Sequence, residues 1–210
     1  MKHLKKILTA VTLVAAASSA SAIQFDWSPV SFAPGSGYSS GSVLSLTELG
    51  VDFTPSSLPP ESAWLSIGSS GPYTFGTVKL NDGEIFGFPY VGVLEQDNLD
   101  VSAIFSFTNP SGVGSQTAIA TGSAVFGLFN DRATDFSINW DDLDVYFGPS
   151  NSGMFTIKMD DISFTSNNQL KTQTYSIELV TAPIPEPETY ALMLAGLGLV
   201  GFMARRRKQA

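Results

Sequence analysis

Apolar and polar residues alternate with a period of two over much of the chain. Leu99, Val101, Ala103, Phe105 and Phe107 alternate with Asp100, Ser102, Ile104 and Ser106, and Tyr175, Ile177 and Leu179 alternate with Thr174, Ser176 and Glu178. Such alternation puts one face of a strand in a core and the other in solvent. Further strands are expected at Ser42–Leu49, Ala63–Ile67, Tyr73–Leu80, Glu84–Val93 and Thr117–Phe129. Turns are expected at Thr54–Pro60, Asn81–Gly83 and Asn109–Gly112, where Gly, Pro, Asn and Ser cluster. About ten short strands at this spacing predict an all-β domain, a two-sheet β-sandwich of jelly-roll type.

One internal repeat stands out. Phe136–Val145 (FSINWDDLDV) matches Phe155–Phe164 (FTIKMDDISF) position by position, 19 residues later. In both copies the apolar parity switches at the Asp-Asp pair, as one extra residue in a strand would make it do, so each pair is read as a β-bulge. Folding the segment about Gly148–Gly153, with paired residue numbers summing to 302, sets Phe147 opposite Phe155, Val145 opposite Ile157 and Leu143 opposite Met159. Beyond the bulges Trp140 then meets Ile162, and Ile138 meets Phe164. Inward residues meet inward residues throughout. The same spacing also arises between two strands that are not neighbours. In the hairpin, Asp141, Asp142, Asp160 and Asp161 fall beside one another. Like charges facing across strands repel. A hard dication would remove that repulsion, so the four are a candidate calcium site, to which Asp144 could add an oxygen. The opposing reading is a solvated edge whose charges discourage pairing between molecules.

Two segments break the strand pattern. At the start, Lys2, Lys5 and Lys6 precede an apolar run, Ile7–Ala17, and the A-x-A-like Ala20-Ser21-Ala22. This is the layout of a signal peptide over residues 1–22, with cleavage after Ala22 by signal peptidase and a mature N-terminus at Ile23. At the end, Pro185-Glu186-Pro187 precedes an apolar run, Tyr190–Ala204, and then Arg205, Arg206, Arg207 and Lys208. The run has 15 residues, about 22 Å as a helix against a hydrocarbon core of about 30 Å. Tyr190 at one interface and snorkelling arginines at the other extend its reach, so a single transmembrane helix is expected, with the four cations as a cytoplasmic stop-transfer signal. Thr181–Glu188 reads as an extended proline-rich tether.

These last features resemble the PEP-CTERM sorting signal of Gram-negative bacteria, over residues 184–210; Ile184 stands where valine is usual. The resemblance implies recognition of Pro185, Glu186 and Pro187 by the membrane protease-transpeptidase exosortase. It also implies passage through the inner membrane, removal of the anchor and delivery to the cell surface or extracellular matrix, in association with exopolysaccharide and biofilm systems. It says nothing about residues 23–183, the extracytoplasmic domain.

That domain carries four cations against seventeen anions, a net charge of −13 compared with −8 for the whole chain. Nucleic acid is a poor partner for such a surface. His3 lies in the signal peptide and the chain has no cysteine. The mature domain therefore lacks a Ser-His-Asp triad, a cysteine nucleophile, and any imidazole or thiolate metal ligand. It has no disulfide either, so its core must hold it together. The leading expectation is a non-enzymatic, exported structural or matrix-associated protein without cofactor, calcium apart. The alternative is a glycan-binding module using Trp27, Trp64 or Trp140, although Trp140 falls on the inward face of the hairpin. A glycosidase is the third reading, but Glu48, Glu61, Glu84, Glu95 and Glu178 offer no motif that selects a pair.

Overall fold

The computed structural model describes residues 22–183, apart from 29, 41–44, 46, 58–60, 83, 86–87 and 130–133, together with residues 187–207. Strands are numbered along the chain. One sheet of seven runs β15 (Ile162–Phe164), β12 (Phe136–Trp140), β10 (Gly114–Ala124), β9 (Val101–Asn109), β1 (Ile23–Trp27) and β5 (Glu61–Leu65), with β2 (Ser31–Pro34) also paired to β9. A sheet of six runs β13 (Leu143–Phe147), β14 (Gly153–Met159), β16 (Leu170–Thr181), β6 (Gly68–Leu80), β4 (Leu49–Pro55) and β3 (Tyr38–Ser39). A small sheet joins β11 (Gly127–Leu128), β8 (Phe88–Val91) and β7 (Glu84–Ile85). Of the strand pairs described, β3 with β4 is parallel and the others are antiparallel.

The two large sheets face each other across an aromatic core, as the sandwich expectation requires. Phe25 of β1 meets Phe155 of β14 at 5.0 Å between ring centroids, and Phe105 of β9 meets Tyr175 of β16 at 5.1 Å. Trp27 meets Tyr73 at 5.3 Å, and its indole Nε1 donates to the Tyr175 hydroxyl at 2.5 Å. These rings approach edge to face, the arrangement their quadrupoles favour. Each large side chain fully buried here contributes roughly 1.5–3 kcal/mol. With no disulfide in the chain, this burial is what holds the sheets together.

Several boundaries differ from the alternation-based expectation. β1 was not among the expected strands, although Ile-Gln-Phe-Asp-Trp alternates cleanly and buries Phe25 and Trp27. The strand expected at Ser42–Leu49 begins instead at Leu49 and runs into the expected turn, to Pro55. Residues 42–44 and 46 lie outside the described residues, and the Ser45 hydroxyl accepts the Thr47 and Glu48 N–H groups, a local bond that competes with strand pairing. Glu84–Val93 divides into β7 and β8, followed by a 3₁₀ turn at Val93–Gln96. Thr117–Phe129 divides into the end of β10 and β11.

The C-terminal run does form a helix, α1 (Pro187–Arg207), whose described side chains, Leu192 to Arg205, are all exposed. Pro187 is its first residue, a position where the missing N–H costs nothing. The transmembrane expectation is not met by this helix as it stands: among the described residues, no helix is long and apolar enough to cross a membrane. Its first turn is Pro-Glu-Thr-Tyr and its last is arginine, which leaves a short apolar stretch between them. The eight-residue tether is also corrected. β16 continues to Thr181, and Pro183 lies against the hairpin turn, where a Cβ on Gly148 or Gly153 would meet its ring at 2.9 and 3.0 Å.

Candidate functional site

The paired Asp-Asp segments do come together, but as corners rather than bulges. β12 belongs to the seven-stranded sheet and its continuation β13 to the six-stranded one, with Asp141-Asp142 between them. The returning arm crosses back at Asp160-Asp161, from β14 to β15. A strand that changes sheets reverses its inward parity just as a bulge does, so periodicity alone does not separate the two. The hairpin register is Val145 with Phe155, Leu143 with Ile157, and Ile138 with Ile162, a sum of 300 rather than 302. A shift of two keeps every side chain on its face, so the alternation was blind to it. The turn decides it. Gly148 has φ of 77°, and a Cβ on Gly153 would lie 2.8 Å from the Phe147 ring, so the glycine seats directly opposite that residue.

All four corner aspartates are exposed. Asp161 accepts the Trp140 backbone N–H at 2.8 Å, replacing a ladder bond where β12 leaves its sheet. The Asp160 carboxylate accepts the Thr174 hydroxyl, and the Asp160 and Asp141 backbone N–H groups bond to Thr174 and Ile119 carbonyls at 3.1 Å. Asp144 accepts the Thr156 hydroxyl at 2.6 Å. Positive charge comes from Lys158, which pairs with Glu178 at 2.6 Å; Glu178 foremost, then Asp142 and Asp144, hold its ammonium above the usual lysine value. Among the described residues, no group of three or more acidic, histidine or cysteine side chains is placed to hold a metal. Of the corner carboxylates, that of Asp161 accepts a backbone donor and that of Asp160 a hydroxyl donor.

Sequence reasoning missed the residue that locks this corner, Gln173. Its side chain is fully buried, its Oε1 accepts the Trp140 indole N–H at 3.2 Å, and its Nε2 donates to the Asp160 carbonyl. The signal was available, since Gln173 shares the parity of Tyr175, Ile177 and Leu179.

The three tryptophans separate clearly. Trp27 and Trp140 are core residues at 1% and 8% exposure, whereas Trp64 is 68% exposed on edge strand β5. Trp64 pairs across strands with Gln24, and one row further Ser62 pairs with Asp26. Asp26 accepts hydrogen bonds from Ser62, Asn109 and Gln24, in that order of effect, and they hold its carboxyl below the usual range. The outer face of this sheet edge thus presents an indole beside an ordered row of hydrogen-bonding groups.

Of the five glutamates, Glu178 is committed to Lys158. Glu95, 1% exposed, accepts the Gly92 backbone N–H. Glu48 sits at the bend before β4, and the side chains of Glu61 and Glu84 lie outside the described residues. Burial pushes the Glu95 carboxyl above its ordinary value against the opposing Gly92 bond. A raised carboxyl pKa means that the folded state holds the proton more tightly than the unfolded chain. Stability from this group is thus fullest below pH 4.5 and declines as pH rises through the folded value. Glu95→Gln removes that decline: the gap in urea midpoint between variant and wild type opens as pH rises above 4.5. A constant gap from acid to neutral pH would show that Glu95 carries no such burden.

At the C-terminus, Pro185 and Glu186 lie outside the described residues, Pro187 opens α1, Arg205 to Arg207 close it, and Lys208 again lies outside. Residues 183–208 match the family model of the PEP-CTERM protein-sorting motif. The chain carries a PEP-CTERM sorting motif. The match starts at Pro183, the residue seated on the hairpin turn, so the PEP-CTERM motif follows the folded domain directly. No curated protein and no solved structure matches the chain.

Proposed function

We propose that this is an exported structural or matrix-associated protein whose sorting runs through exosortase. The observation that carries the reading is the PEP-CTERM match at residues 183–208, placed immediately behind a β-sandwich. In this reading signal peptidase cleaves after Ala22, releasing Ile23 to begin β1. The sorting motif keeps the precursor associated with the inner membrane until it is processed. Exosortase then processes the chain at Pro185-Glu186-Pro187 and passes the domain to the cell surface, where extracellular polysaccharide is the partner. A non-catalytic role is supported by a mature sequence without histidine or cysteine. Its charge of −13 argues against nucleic acid.

The test replaces Pro185, Glu186 and Pro187 by alanine. Full-length protein accumulates in the inner membrane, read by immunoblot of membrane and extracellular fractions. Normal release of the variant removes the reading.

Glycan binding is the second reading, favoured by the exposure of Trp64 beside Gln24, Asp26, Ser62 and Asn109. Sugar rings stack their C–H faces on such an indole while hydroxyls meet the polar row. Since Trp27 and Trp140 are buried, a soluble extracellular polysaccharide shifts wild-type tryptophan emission and leaves Trp64→Phe unmoved. An unchanged wild-type spectrum ends this reading.

A further inference from the structure

The edge of a sheet presents a row of unpaired N–H and C=O groups, and folded chains blunt it by shortness, proline, charge or a bulge. Most edges of this domain are blunted. β3, β7 and β11 have two residues each and β15 has three. β2 carries Pro34, and β13 carries Asp144 just past the Asp141-Asp142 corner. β5 is different. Its one charged residue, Glu61, stands at its start, and Ser62-Ala63-Trp64-Leu65 holds no proline and no lysine. All five of its residues pair with β1 without a register shift.

The direction of the free groups follows from β1. The Asp26 carbonyl accepts the Thr108 hydroxyl at 3.3 Å, and Ser28, just past the strand, donates its N–H to the Ser106 carbonyl at 2.9 Å. Asp26 therefore turns its backbone groups towards β9. Successive residues of a strand turn them to opposite sides. Ile23, Phe25 and Trp27 thus face β5, where their partners are Leu65, Ala63 and Glu61. Between those partners, Ser62 and Trp64 direct their N–H and C=O groups away from β1, to a side where no strand lies among the described residues. Both residues are exposed.

We infer that two copies of this chain pair through β5, antiparallel about a twofold axis at Ala63, so that their seven-stranded sheets become one. A twofold contact has to be self-complementary, and this strand is. In that register Ser62 and Trp64 of the second copy exchange N–H···O bonds, which uses the groups that β1 leaves free. Ala63 meets its own counterpart at a non-hydrogen-bonded position, where Cα atoms approach to about 4.5 Å and a small side chain fits. Glu61 falls opposite Leu65, so no like charges face each other. The Trp64 ring gains Ser62 of the second copy as a cross-strand neighbour, in addition to Gln24 of its own β1. The contact is short and belongs to the weak, reversible class. The charge of −13 on each domain opposes it, and salt, which screens that repulsion, tightens it. The inference goes beyond both readings of function above and depends on neither.

The test combines sedimentation velocity of the full-length protein in mild detergent with cysteine cross-linking. The wild type shows a monomer–dimer equilibrium that moves towards dimer as protein concentration rises. The chain has no cysteine, so a single introduced thiol reports one contact. Ala63→Cys forms an intermolecular disulfide under mild oxidation, because Cα atoms about 4.5 Å apart can be bridged. Thr121→Cys, exposed on the same sheet but away from its edge, does not. Trp64→Pro removes an outward N–H and raises the dissociation constant about tenfold. Trp64→Phe keeps that N–H and still dimerises. The inference is overturned if the wild type stays monomeric at every concentration, if Ala63→Cys cross-links no faster than Thr121→Cys, or if Trp64→Pro dimerises like the wild type. A dimer lost equally in Trp64→Phe overturns it and assigns the contact to the ring. Ser62 and Trp64 amides already protected from hydrogen exchange in the monomer overturn it as well, because the chain itself then covers the edge. Protection that appears only with soluble extracellular polysaccharide overturns it too, and gives the edge to the glycan.

Discussion

Gln173→Leu lowers the unfolding free energy by about 2–4 kcal/mol. The volume is nearly conserved, so the loss comes from stranded partners. The Trp140 indole N–H, buried behind the corner, loses its acceptor, and the Asp160 carbonyl loses its donor. Each orphan costs roughly 1–3 kcal/mol, against a total stability of about 5–15 kcal/mol for a domain of this kind. The effect is specific to the corner because Gln173 joins the arm leaving the seven-stranded sheet to the arm returning to it. Urea denaturation measures it, with Thr172→Leu on the exposed face of the same strand as comparison. A midpoint change no larger than that of Thr172→Leu would show that the amide does not hold the corner.

Gly122→Ala is the second large loss, about 3–5 kcal/mol from overpacking and broken hydrogen bonds together. Gly122 sits in β10 opposite Ile138, in ordinary strand backbone, so conformational freedom is not why glycine is needed. Space is. A Cβ there would overlap the Leu99 carbonyl oxygen and the Tyr38 hydroxyl, and would lie 2.8 Å from the Leu99 Cβ. The Leu99 carbonyl accepts both the Gly122 N–H at 3.0 Å and the Tyr38 hydroxyl at 2.6 Å. One methyl group therefore pushes apart two hydrogen bonds. Thermal unfolding beside Thr121→Ala, an exposed neighbour, checks this; equal midpoints for the two variants would mean that the contact yields without cost.

The class of fold and the sorting motif at residues 183–208 were legible in the linear sequence. Period-two alternation is a direct consequence of strand geometry, so Val101 to Phe107 and Tyr175 to Leu179 declared their buried faces without any partner in view. The sorting motif was legible for a related reason: it is read as a contiguous segment and needs no tertiary neighbour. The repeat at the Asp-Asp pairs was legible as a hairpin, and its inward residues were assigned to the correct face.

What alternation does not carry is the identity of the neighbour. A parity switch marks both a bulge and a change of sheet, and only the facing sheet decided that Asp141-Asp142 and Asp160-Asp161 are corners. A two-residue register shift is invisible to a period of two, and the close seat of Gly153 against Phe147 settled it. The same holds for chemistry. Four aspartates in two pairs read alike in the sequence, and only the fold sets Thr174 beside Asp160 and the Trp140 N–H beside Asp161. Trp27 and Trp64 are equal candidates for a sugar in the sequence until Trp27 is found in the core.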